Sequence, residues 1–158
     1  MPRASDIAVL KLPAQSTLCV RKATRVEALP MLIGQSYGKI AAYLQASGEA
    51  MADVPFVAYH NMDMRNLDVE IGFPVSIPLA GREDIIPGTI PAGKAVFCIY
   101  RGAYSEMLPV YTEMAQWIED NGYAPTGISY EYYYNGPDWP QQELLTKIVI
   151  PVETCKVR

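Results

Sequence analysis

Apolar residues recur at positions 33, 37, 40, 41 and 44, and again at 107, 111, 114, 115 and 118, the spacing of one buried helix face. The stretches "IGQSYGKIAAYLQASG" and "MLPVYTEMAQWIEDNG" each end in a glycine suited to the left-handed position after a helix. Superposed, they match Tyr37 to Tyr111, Ile40 to Met114, Leu44 to Ile118 and Gly48 to Gly122, always at an offset of 74. Two equivalent amphipathic helices are predicted. Ser105 is the candidate N-cap of the second, which places Pro109 at the end of its first turn, the edge of what a helix tolerates.

The register continues into runs of strand formers. "PFVAYHN" from Pro55 lies over "SYEYYYN" from Ser129, "IGFPV" from Ile71 over "IVIPV" from Ile148, and "LPAQSTLCV" from Leu12 over "IPAGKAVFC" from Ile90. The chain therefore reads as α+β, a single domain over 1–158 written as two pseudo-symmetric β-α-β-β repeats at 5–80 and 88–156. Three strands with one helix cover one sheet face only. Two copies combine most economically into one antiparallel sheet with both helices on one side and an open central groove on the other. "DIIPGTIPAG" is the connection between copies, and "NMDMRN" and "NGPDWPQQ" are turn-prone loops at strand tips.

Alternation along "GISYEYYYN" puts Ser129, Glu131 and Tyr133 on one face and Tyr130, Tyr132 and Tyr134 on the other. A carboxylate under a helix would need a paired cation, so Glu131 and Tyr133 are expected to line the groove, with Tyr130, Tyr132 and Tyr134 packed beneath the helix. The repeat gives Val57 and Tyr59 as the equivalent groove positions and turns His60 away from them. A carboxylate beside tyrosine rings can serve as counter-ion to a cation stacked on the rings, at roughly 0.5–2 kcal/mol per good cation–π contact. It can equally act as a general acid or base, because desolvation raises its pKa. Trp139, in a turn-rich loop, is a candidate cap for a pocket mouth.

Composition narrows the function. Acidic residues number 17 and basic residues 13, scattered rather than blocked, so no basic stripe exists to hold nucleic acid. No apolar run reaches membrane-spanning length and the N-terminus lacks a signal-peptide core, so a cytoplasmic location and no membrane partner are expected. Cys19, Cys98 and Cys155 fit reduced thiols, the first two in the core. A sole histidine, His60, excludes metal sites needing two imidazoles, and no nucleotide, serine-hydrolase or zinc motif occurs. Neither a metal nor a cofactor is expected.

Through "FVAYHNMD", "IGFPVS", "IPAGKAVFCIYRGAYSEMLPVYTEMAQWIEDNGY", "SYEYYYNGP" and "TKIVIPV", the chain resembles the GyrI-like, or bacterial transcription-activator effector-binding, domain family. The most distinctive parts are "RGAYSEML", the E-x-Y of Glu131 and Tyr133, and the closing "IPV". The resemblance implies two β-α-β-β repeats around an aromatic groove whose acid, here Glu131, faces cationic lipophilic ligands. Tyr133 is the companion contact it supports, and Tyr59, Phe73, Tyr100, Tyr104 and Trp139 follow from alternation and loop placement. Activators of the family carry a helix-turn-helix module ahead of this domain, whereas about ten residues precede the first predicted strand here, so a stand-alone form is expected. Small-molecule binding is the leading expectation. The alternatives are a hydrolase opening cyclopropane rings of DNA-alkylating natural products, with Glu131 and Tyr104 as its catalytic pair, and a gyrase-inhibitor-like module that binds a protein partner.

Overall fold

In the computed structural model, which describes residues 3–136 and 138–155, the β-branched and aromatic runs form strands and the two helix-periodic stretches form helices. In chain order these are β1 (Ala8–Leu12), β2 (Gln15–Thr24), α1 (Leu29–Ser47), β3 (Phe56–Tyr59), β4 (Leu67–Pro74), β5 (Ile86–Ile90), β6 (Gly93–Arg101), α2 (Leu108–Asp120), β7 (Tyr123–Pro125), β8 (Ser129–Tyr133) and β9 (Leu145–Thr154). The α+β class and the doubled order hold, as β2-α1-β3-β4 and β6-α2-β8-β9.

Two compact units result, and they are not the two halves of the sequence. One comprises Pro13–Ala92; the other joins the N-terminal segment through Leu12 to the chain from Gly93 onward. In the first unit the antiparallel order is β3-β4-β2-β5. In the second it is β1-β6-β9-β8, with β7 also on β9. The short strand ahead of each repeat therefore pairs within the other unit: β1 places Ala8 opposite Phe97, and β5 places Ile90 opposite Gln15. Pro13 and Pro91, at equivalent positions, separate each of these strands from the next and cannot donate to a ladder.

Each helix buries its apolar stripe on its own unit's sheet. Ile40 and Leu44 of α1 pack on Leu18, Val20, Phe73 and Val75. Val110, Met114 and Ile118 of α2 pack on Val96, Cys98, Ile148, Ile150 and Val152. The stripe is displaced from the sequence expectation, because Ala41 and Ala115 are exposed while Ser36 and Val110 are buried. Gly48 closes α1 at φ 72°, donating to Gln45 O, and Gly122 follows α2 at φ 80°. Ser105 does not cap α2: Tyr104–Glu106 form a 3-10 turn and the helix begins at Leu108. That start keeps Pro109 in the first turn, where its missing N–H has no helical partner to lose. No helix among the described residues is long and apolar enough to cross a membrane.

Candidate functional site

The strand register decides which face carries the acid, and it reverses the expectation. Glu131 stands opposite Ile148, which stands opposite Cys98, and Ile148 and Cys98 both belong to the core under α2. Glu131 and Tyr133 therefore share the face covered by the helix. Tyr130 and Tyr132, opposite Val149 and Lys147, lie on the other face, where Lys147 Nζ sits 4.8 Å from the centre of the Tyr132 ring. Tyr134 is exposed rather than packed.

The premise that failed was the need for a cation. Glu131 is buried, and each of its oxygens instead accepts a phenol: Tyr111 of α2 donates to Oε2 at 2.6 Å and Tyr133 to Oε1 at 2.8 Å. Burial pushes the carboxyl above the ordinary glutamate range, and the two hydroxyls pull in the opposite direction. Each oxygen keeps a second acceptor position, so the ionised group can still receive a cation or an N–H donor. Protonated, it is an acid held in place by two phenols.

A third tyrosine completes the cluster. The Tyr104 ring meets Tyr133 edge to face at 5.5 Å between centroids, and its phenol is raised by burial and by the charge of Glu131. The "RGAY" segment explains the placement of Tyr104. Gly102 adopts φ 142° and donates its N–H to Leu144 O at 2.9 Å, while a side chain there would bring its Cβ within 2.8 Å of the Tyr100 hydroxyl. That hydroxyl donates to Ala103 O at 2.6 Å. The turn is thus locked to β6 immediately before Tyr104.

The structure brings together Glu131, Tyr133 and Tyr104 of the expected residues. Tyr100 is only 2% exposed and belongs to the α2 core, its hydroxyl spent on the turn. Phe73 is 4% exposed in the α1 core and stacks on Tyr37 at 5.2 Å. Both sit on the helix-covered face of their unit's sheet, which Phe73 shares with Tyr59 and Tyr100 with Tyr133, rather than on an open one. Tyr59 is half-buried opposite Val69 in the first unit, and Trp139 is 53% exposed in the loop before β9.

Tyr111 was missed, although the signal was present: it sits on the helix stripe and matches Tyr37 across the repeat. His60 does turn to the face opposite Val57 and Tyr59, where its Nε2 lies 2.5 Å from Glu70 Oε1. On that face Cys19 Sγ is 3.3 Å from Glu70 Oε2, and burial followed by the Glu70 charge pushes the thiol up to about 12. Such a thiol is a poor nucleophile. Among the described residues no group of three or more His, Cys, Asp or Glu is placed to hold a metal ion.

The model of the GyrI-like small molecule binding domain matches residues 5–153, and the chain belongs to that family. The EcmrR C-terminal domain is similar at 28% identity and a TM-score of 0.79, over 96% of this chain and 99% of that one. EcmrR in its DNA complex is similar at 27% identity and a TM-score of 0.82, over 95% of this chain, which spans only 58% of the EcmrR chain. Two further structures share the fold alone. A hydrolase from Listeria innocua has 15% identity and a TM-score of 0.70, covering 97% of this chain and 94% of that one. SAV2435 bound to tetraphenylphosphonium has 12% identity and a TM-score of 0.68, covering 94% of each. The sequence matches none of the curated proteins.

Proposed function

We propose that this GyrI-like domain binds planar aromatic, often cationic, lipophilic compounds at Glu131, with Tyr133 and Tyr104 as the rings that receive them. One observation carries this reading: a buried carboxylate whose hydrogen-bond partners are two phenols and which, among the described residues, makes no ion pair. Burial disfavours its charge, and a bound cation would compensate it, with aromatic faces at hand for the body of the ligand. The tetraphenylphosphonium held by SAV2435 supplies a first probe.

The test is a titration of tetraphenylphosphonium and of a flat cationic dye against wild type and Glu131→Gln. Removing the charge partner should cost about 1–3 kcal/mol, roughly a five- to 150-fold loss of affinity. Unchanged affinity would remove Glu131 from the site.

A second reading has its own support, the half-exposed Tyr104 phenol that feels the charge of Glu131. In it, the Tyr104 phenol donates its proton to a carbonyl conjugated to a cyclopropane while the ionised Glu131 carboxylate takes a proton from the water whose oxygen bonds to the ring carbon as the ring C–C bond breaks. Mass-spectrometric detection of the water adduct, lost in Glu131→Gln and Tyr104→Phe, would replace binding by turnover.

A further inference from the structure

The helix-covered face of the second unit holds one more polar group. Thr146 lies on β9 directly between Tyr100 of β6 and Tyr133 of β8. It is 0% exposed, and among the described residues its Oγ1 is the buried side-chain polar atom that has no hydrogen-bond partner. A threonine in a core strand usually satisfies its hydroxyl, and leaving it unpaired costs about 1–3 kcal/mol. Valine would fill the same space without that cost. The hydroxyl is next to the acid: Glu131 occupies the diagonal position across the β8–β9 ladder, where Cβ atoms are about 7–8 Å apart or somewhat less.

Resting on the reading of Glu131 as the counter-ion, we propose that Thr146 Oγ1 is a specificity contact of the same site, which selects cations carrying N–H donors over quaternary ones. The chemistry follows from what the two groups can accept. Both Glu131 oxygens receive phenol hydrogens and keep acceptor capacity for one more donor each, and Thr146 Oγ1 is an unused acceptor on the same face. An amidinium or a protonated amine can donate one N–H to the carboxylate and another to the threonine. A tetraalkylammonium or tetraarylphosphonium supplies charge alone and leaves the hydroxyl orphaned. Sites that hydrogen-bond a ligand group discriminate strongly against analogues lacking it. Tyr133, opposite Thr146, meets the 48% exposed Tyr104 ring edge to face, so the Tyr104 side is the approach from solvent that this proposal assigns to the ligand.

A matched pair of probes tests this: biphenyl-4-amidinium and biphenyl-4-yl-trimethylammonium, titrated calorimetrically against the whole chain. Wild type should prefer the amidinium by about fivefold or more, the size of one net hydrogen bond. Thr146→Val should abolish the preference by weakening the amidinium alone, Thr146→Ser should keep it, and Thr146→Val should melt no lower than wild type. Equal loss for both probes together with a lowered melting temperature would make the hydroxyl structural and overturn the proposal. Loss of both probes in Glu131→Gln with no change in Thr146→Val would overturn it while leaving the counter-ion reading intact. Folded wild type that binds neither probe would overturn both.

Discussion

The two units carry the same helix tyrosine over the same strand position and use it differently. In the first, Tyr37 donates to the Phe56 carbonyl at 3.1 Å and stacks on Phe73, and the strand residue beneath is the fully buried Val57. In the second, the matching Tyr111 donates to Glu131, which replaces that valine. The 3-10 turn before each helix differs in the same sense, starting with Val26 in one unit and Tyr104 in the other. One unit therefore shows what the fold needs at these positions, and an acid is not part of it. Glu131 and Tyr104 are departures from a pattern that packs without them, which is the physical case for treating them as site residues.

The comparison breaks most readily if the first unit can be given the acid. Val57→Glu would bury a carboxylate beside a tyrosine whose hydroxyl is already committed to Phe56, and an uncompensated buried charge costs about 3–5 kcal/mol. An unfolding free energy, measured by chemical denaturation, that drops by that amount supports the asymmetry. An unchanged unfolding free energy would mean that either unit can house a carboxylate. The converse change, Glu131→Val, removes the acceptor of both the Tyr111 and the Tyr133 hydroxyls and should cost about 1–3 kcal/mol for each donor left unpaired, while abolishing preference for cations.

A smaller effect separates the two tyrosines. Tyr111→Phe deletes a hydrogen bond to an ionisable acceptor and should cost about 1.5–3 kcal/mol at neutral pH, whereas Tyr37→Phe deletes one to a carbonyl and should cost about 0.5–1.5 kcal/mol. Chemical denaturation of the pair measures the difference, and equal costs would show that the Tyr111–Glu131 bond has no charge-assisted character.

Much of this arrangement was legible in the sequence, for a definable reason. The offset of 74 aligned Tyr37 with Tyr111 and Gly48 with Gly122, because each helix must bury the same stripe on the same kind of sheet. Alternation also separated Glu131 from Tyr130 and Tyr132 correctly. Alternation does not say which face meets the helix, and the rule invoked to decide, that a buried carboxylate needs a cation, overlooked phenols as partners. The pairing of Glu131 with Ile148, and of Ile148 with Cys98, settled the face. The same register places Tyr100 in the core under α2, and Phe73 lies in the core under α1. The pairing of β1 with β6 was invisible for a different reason: strand partners are non-local, and nothing in "AVLKL" names the strand that completes its ladder.

The smallest predicted effect concerns pH, and its sign separates a tense acid from a comfortable one. Burial raises the pKa of Glu131 in the folded protein despite the two phenols, so between its unfolded and folded values the native state holds the proton more tightly than the unfolded chain. Stability falls with rising pH wherever the native state binds more protons. The contribution of protonated Glu131 is thus fully present below the unfolded pKa and is lost as pH rises through the raised folded value. Glu131→Gln lacks this titration, so the stability of wild type relative to the variant should decline across that window and level off above it. Val57, at the matched position, titrates nothing, so Val57→Ala should run parallel to wild type. Ligand affinity should move oppositely, since a cation needs the carboxylate: binding strengthens as pH rises through the same value. Denaturation and dye titration over one pH series read both trends. If stability rises with pH where Glu131 titrates, the phenols outweigh burial and the acid is a satisfied core group.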